Sequence, residues 1–260
     1  MKGLWTVALA SLVMLTVWTS PTLGLDKSIT PREFSVAAAS QGRPIKRSDG
    51  VPGVVYRLDL SDYTGGPVEE WLGAKGFKFE HAAKDRNALN LSFADGALVL
   101  EAKEQLRGFL FKDDIDITKF SRVKIEWGVN KYPEGASYEG KVKNEALMVY
   151  IFFGKEKKAS GQFALPDLPY FIGLFLCKQD KVDIPYLGTY YHEGGRFVCL
   201  GHPPVQQTVV SEFDLVTAFQ QYFDHSEVPF ISGISLGVDT SSSDDGGTAA
   251  AFIKKIEVLE

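Results

Sequence analysis

The sequence predicts an all-β fold, an antiparallel β-sandwich of jelly-roll type with one amphipathic helix packed on it. Three observations predict it. Apolar residues recur with a period of two from Val54 to the C-terminus, an Asp-Gly dipeptide joins two of these runs, and only one stretch has the helical period. No strand-helix-strand rhythm interrupts them, so a parallel α/β sheet is not expected.

The runs follow in order. VVYRLDL (54–60) alternates, as do LNLSF (89–93) and ALVLEA (97–102), with Ala94-Asp95-Gly96 as a hairpin turn between the last two. RGFLFKDDIDI (107–117) and RVKIEWGVN (122–130) come next. ALMVYIFFG (146–154) is apolar on both faces and reads as a central strand covered on both sides. PYFIGLFLC (169–177), RFVCLG (196–201), SGISLGV (232–238) and AAFIKKIEVL (250–259) complete the set. Between them, SEFDLVTAFQQYFDH (211–225) places Phe213, Val216, Phe219, Gln220 and Phe223 at helical spacing. Ser211 with Asp214 starts this helix as a capping box would, and Pro229 lies just beyond its end.

The N-terminus points to a compartment. Lys2 precedes an uncharged, mainly apolar run over 4–18, too short for an ordinary spanning helix. Pro21 and the small residues before Gly24 fit a secretory signal covering 1–24, cleaved after Gly24; an uncleaved anchor is the alternative. The expected location is therefore periplasmic or extracellular. Residues 25–53 mix Pro, Gly, Ser and charge without periodicity and read as a flexible lead-in, with one short helix over 31–39. Residues 54–260 then form a single domain. With 45% hydrophobic residues the chain can fill a sizeable core. A net charge of −5 with no basic run argues against nucleic acid and anionic membrane surfaces as partners.

Cys177 and Cys199 both lie in apolar, strand-like runs, and the stretch between them reads as a long hairpin loop. In an oxidising compartment they are expected to pair, although two buried thiols remain the alternative. Their spacing fits no metal site of the CxxC kind.

Three stretches carry a resemblance: FLFKDDIDITKFSRVKIEWGVNKYPEGASY (109–138), the pair ALMVYIFFG with PYFIGLFLC, and EFDLVTAFQQYFDHSEVPFISGISLGVDTSSSDDGG (212–247). In this order they resemble a bacterial family known as domain of unknown function 3047. Where that family has Trp-x-Trp, this chain has Ile125 and Trp127, and its Asp-rich stretch stands here as Lys143-Asn144-Glu145. The resemblance implies a sandwich fold and an envelope location, with no activity attached.

Candidate site residues fall into three groups. Sugars are gripped by aromatic faces together with polar groups that hydrogen-bond their hydroxyls. Trp127 and Tyr132 lie on one strand and its outgoing loop, and Tyr186, Tyr190, Tyr191 and His192 crowd the loop between the cysteines. For catalysis, Glu126, Glu145 and Asp239 are carboxylates that neighbouring strands could bring face to face. The sequence has no GxSxG motif, and its four histidines lack ligand spacing. For a metal, GVDTSSSDDGGT offers Asp239, Asp244 and Asp245 to Ca²⁺, but the EF-hand positions for Gly and the last Glu are not met. A polar turn explains the same composition, and no other cofactor is implied. The leading expectation is a non-catalytic protein that binds carbohydrate or another envelope polymer. A glycosidase-like or lyase-like enzyme and a structural envelope protein are the alternatives.

Overall fold

The structure is a computed structural model and describes residues 53–260 apart from Ala164, Asp244 and Asp245. The expected signal sequence, lead-in and 31–39 helix lie outside the described residues. Thirteen strands form two facing sheets: β1 Val54–Asp59, β2 Lys78–His81, β3 Leu89–Ala94, β4 Ala97–Ala102, β5 Arg107–Lys112, β6 Arg122–Lys131, β7 Glu145–Lys158, β8 Leu168–Phe175, β9 Pro185–Tyr186, β10 Gly195–Cys199, β11 Val209–Asp214, β12 Ile231–Asp239 and β13 Ala249–Leu259. The first sheet runs β11-β6-β13-β4-β3, and β1 also pairs with β13, beyond the end of β4. The second runs β2-β5-β12-β7-β8-β10-β9. The all-β sandwich is as the alternation predicts.

Alternation decides which side chains enter the core. On β12, Ile234, Leu236 and Val238 turn inward, and so do Val149, Ile151 and Phe153 on β7. They meet Ile125, Trp127, Ile253, Ile256 and Val258 of the first sheet in one buried cluster. The opposite face of the second sheet is covered too. Met148, Tyr150, Phe152, Phe171, Phe175 and Phe197 form a second cluster there. This is why the β7 run reads as apolar on both sides.

The Asp-Gly turn forms as expected. Asp95 and Gly96 both have positive φ, at 52° and 69°, and Ala94 pairs with Ala97 across a two-residue loop. The 211–225 helix is α2, Leu215–Phe223, with Leu215, Ala218 and Phe219 buried. Its cap differs from the expectation. Asp214 accepts from the Thr217 amide at 2.9 Å, while Ser211 belongs to β11 and accepts from the Trp127 indole instead. A second helix, α1 (Val68–Ala74), has too few residues to announce a period.

One expectation is corrected in direction. Cys177 and Cys199 do form a disulfide, with their Cα atoms 5.8 Å apart. The strands that lead into them, however, run parallel: Phe171–Phe175 pairs with Gly195–Cys199 in the same sense. The intervening chain is therefore a crossover and not a hairpin loop, and within it β9 makes a short antiparallel pair with β10. Among the described residues no helix is long and apolar enough to cross a membrane.

Candidate functional site

The outer face of the second sheet holds a cleft of about 480 Å³, within the range of small-ligand sites. Its floor follows from the period of two. Phe109 and Phe111 on β5, Tyr150 and Phe152 on β7, Phe171 on β8 and Phe197 on β10 all point outward and line the cleft. Phe111 meets Phe152 at 5.1 Å between ring centroids, and Tyr150 meets Phe171 at 5.7 Å. Such edge-on and tilted contacts suit the ring quadrupoles.

Small residues stand opposite these rings. Gly237 pairs with Phe109, Ser235 with both Phe111 and Tyr150, Gly173 with Tyr150, and Gly195 with Phe171. A Cβ on Gly237 would stand 2.7 Å from Tyr150, and one on Gly195 would stand 2.5 Å from Phe171. The missing side chains let the rings lie across the sheet.

One end of the cleft is polar. Arg107, Asp239 and Glu145 lie in one row across β5, β12 and β7, since Asp239 pairs with Arg107 on one side and Glu145 on the other. A bulge places Glu145 there. Between Gly237 and Asp239 of β12, β7 advances by three residues, from Met148 to Glu145. Ala146 and Leu147 both face the core, and the extra residue turns Glu145 outward. Arg107 Nε donates to Asp239 Oδ2 at 2.6 Å, and the Ser241 amide and hydroxyl donate to Oδ1 at 3.0 and 2.6 Å. Glu145 accepts from the Tyr138 hydroxyl at 3.2 Å.

The two carboxyls differ in environment. Glu145 is only 3% exposed. Burial first, and then the charge of Asp239, push its carboxyl well above the ordinary carboxylate range. The hydroxyls of Tyr138 and Tyr150 are pushed up in turn by burial and by Glu145. Burial pulls Arg107 down, but Asp239, helped by Tyr150 and Glu145, more than offsets it, and the guanidinium keeps its charge. The row therefore holds an acid that tends to keep its proton beside a carboxylate neutralised by arginine.

The tyrosine-rich crossover walls the other side. Tyr190 and Tyr191 line the cleft, with the Tyr191 ring edge-on to Phe171 at 5.6 Å and its hydroxyl donating to Pro166 O at 2.9 Å. Tyr191 has a φ of 59°, a conformation that costs a bulky residue energy and is imposed by its surroundings. Tyr186 packs tilted behind Tyr138 at 5.7 Å, and its hydroxyl donates to Glu139, so it supports the site from outside the cleft. His192 is exposed, its ring nitrogen 3.1 Å from Gly188 O.

Other predicted residues lie elsewhere. Trp127 is 1% exposed between the sheets, with its indole on Ser211, so no ring face is open to a sugar. Tyr132 packs on the same core and donates to Pro203 O. Glu126 is on the first sheet beside Lys254 and Lys255, away from Glu145 and Asp239. Of the three candidate carboxylates, only two come together. Arg107 and Tyr150 were not singled out from the sequence. Their signal is the alternation that puts Arg107, Phe109 and Phe111 on one face.

The GVDTSSS loop is tied into the protein. Thr240 Oγ1 accepts from the Leu106 amide and donates to Glu104 O, and Asn144 donates to Ser243 Oγ at 3.2 Å. Asp244 and Asp245 lie outside the described residues. The one grouping of three metal-type ligands among the described residues is Cys177, Cys199 and His202, where both sulfurs are already in the disulfide.

No family model matches the chain, and no curated protein matches it. Among solved structures it is similar to a point mutant of a family 29 carbohydrate-binding module, at 10% identity, 78% of this chain, 85% of that chain and TM-score 0.34. A point mutant complexed with cellulohexaose gives 9%, 78%, 90% and 0.32, and one complexed with mannohexaose gives 10%, 78%, 91% and 0.34. At these scores the likeness carries no weight, and a functional reading rests on the cleft itself.

Proposed function

We propose that this is a periplasmic or extracellular protein that binds carbohydrate, without acting on it, in the outer cleft of its second sheet. The observation that carries the reading is the cleft floor, where six aromatic rings face a polar row at one end. Rings of this kind stack on the C–H faces of sugars while carboxyl, guanidinium and phenol groups take the hydroxyls. The disulfide supports an oxidising compartment. A glycan array followed by titration calorimetry tests the reading. A hit should weaken at least about tenfold in Phe111→Ala and Tyr190→Ala, in line with the loss of a stacking contact, and hold its affinity in Trp127→Phe. A blank array defeats it.

A second reading has one specific observation behind it. Glu145 and Asp239 stand opposite each other at the cleft end, the first favouring its proton and the second paired with Arg107. A glycoside hydrolase divides acid and base between two such carboxyls. Release of reducing ends from a bound glycan, abolished in Glu145→Gln, would make the protein an enzyme.

A further inference from the structure

We propose that the cleft selects an anionic saccharide, whose acidic group is taken by Lys141, Lys143 and the free edge of Arg107. This rests on the carbohydrate reading and names the class of sugar.

Charge bookkeeping around the cleft carries the inference. Glu80 at the rim is neutralised by Lys84 at 2.7 Å, and Asp239 by Arg107 at 2.6 Å. Glu145 is buried with its acid proton favoured. Lys141 and Lys143 also line the cleft, and neither ammonium has an ion-pair or hydrogen-bond partner among the described residues. Among the described residues two positive charges are thus left over at this spot, in a chain whose net charge is −5.

Their placement is fixed by the fold. The 137–142 turn closes through the Ser137 amide on Val142 O at 2.8 Å, and Ser137 Oγ donates to Asp180 at 2.8 Å. Lys141 sits in this turn with φ at 67°, a conformation rarely given to lysine without a role for the turn. Lys143 follows two residues later, half-buried. Burial, and then repulsion from Lys141, lower the readiness of its ammonium to hold a proton. An anion placed between the two would relieve that repulsion. Arg107 adds a third donor: Nε and Nη2 are committed to Asp239 and Ser241, while Nη1 makes no hydrogen bond among the described residues. A guanidinium edge and two ammoniums match the oxygens of a uronate carboxylate or a sugar sulfate.

The test compares tetragalacturonate with its methyl ester, which keeps the sugar and removes the charge, and adds a sulfated carrageenan tetrasaccharide. Calorimetry should show the free acid binding at least about tenfold tighter than the ester. Raising salt from about 0.05 to about 0.5 M should erode that ratio, since exposed charges are screened. In Lys141→Gln/Lys143→Gln the ratio should fall at least severalfold, the remainder being what Arg107 alone supplies. Equal affinity for the sulfated sugar and the uronate would support recognition of negative charge in general. Equal binding of acid and ester, or an undiminished ratio in the double variant, overturns the proposal while leaving the carbohydrate reading standing. If a broad glycan array shows no binding, both fall.

Discussion

Glu145 and Asp239 are cross-strand partners on β7 and β12, and Arg107 bonds to Asp239 but not to Glu145. Two acids side by side in a nearly dry site repel when both are charged. Of the two, the arginine pairs with Asp239 alone, while burial and the charge of Asp239 favour the proton on Glu145.

The first prediction concerns stability against pH. Glu145 binds its proton more tightly when folded than when unfolded, so between its unfolded and folded titrations the native state holds more protons. Stability must then fall as pH rises through that window, by up to about 1.4 kcal/mol per pH unit. Below the unfolded value the slope vanishes and the stabilisation is fully present. Glu145→Gln should remove the decline, and urea midpoints from pH 4 to 8 will show whether it does.

A second prediction follows from the pair. Asp239→Asn takes away the negative neighbour that helps hold the proton on Glu145. The pH-dependent decline should then begin in the same place but end at a lower pH. Glu145 titration followed by ¹³C NMR in both proteins would detect it. An unmoved titration would mean that burial alone sets the acid.

Gly195→Ala provides the third. Its Cβ would stand 2.5 Å from the Phe171 ring in the cleft floor. Overpacking of this kind costs about 1–3 kcal/mol, so chemical denaturation should show a loss of that order, with weaker glycan binding at temperatures where the variant stays folded.

The fourth concerns the disulfide. Replacing Cys177 and Cys199 together with Ser should cost about 3 kcal/mol, as expected for freeing a loop of this length in the unfolded chain. Denaturation with and without reductant gives the same comparison in the unmodified protein.

Much of the fold was legible because alternation is a local signal. β3, β4 and their Asp-Gly turn could be read directly, and so could the doubly covered β7. What stayed hidden was non-local. The spacing of Cys177 and Cys199 reports proximity but not strand direction, so a parallel crossover looked like a hairpin. As an aromatic beside a loop, Trp127 reads as a sugar platform. Yet Val123, Ile125, Trp127 and Val129 share one face of β6, and that face is the core. Glu145 and Asp239 were both visible as acids, but nothing in the sequence states that β7 lies beside β12. A single extra residue in β7 then decided which way Glu145 points.

The disulfide has a consequence beyond energy. It spans the base of the crossover that carries Tyr190 and Tyr191, so the cleft wall is part of a closed covalent ring. A protease that cuts once inside the ring, for instance after the exposed Lys181, cannot release either piece. The nicked protein should run as one band without reductant and as two with it. The cleft wall thus keeps its covalent frame after a single cut, whichever peptide bond between Cys177 and Cys199 is broken.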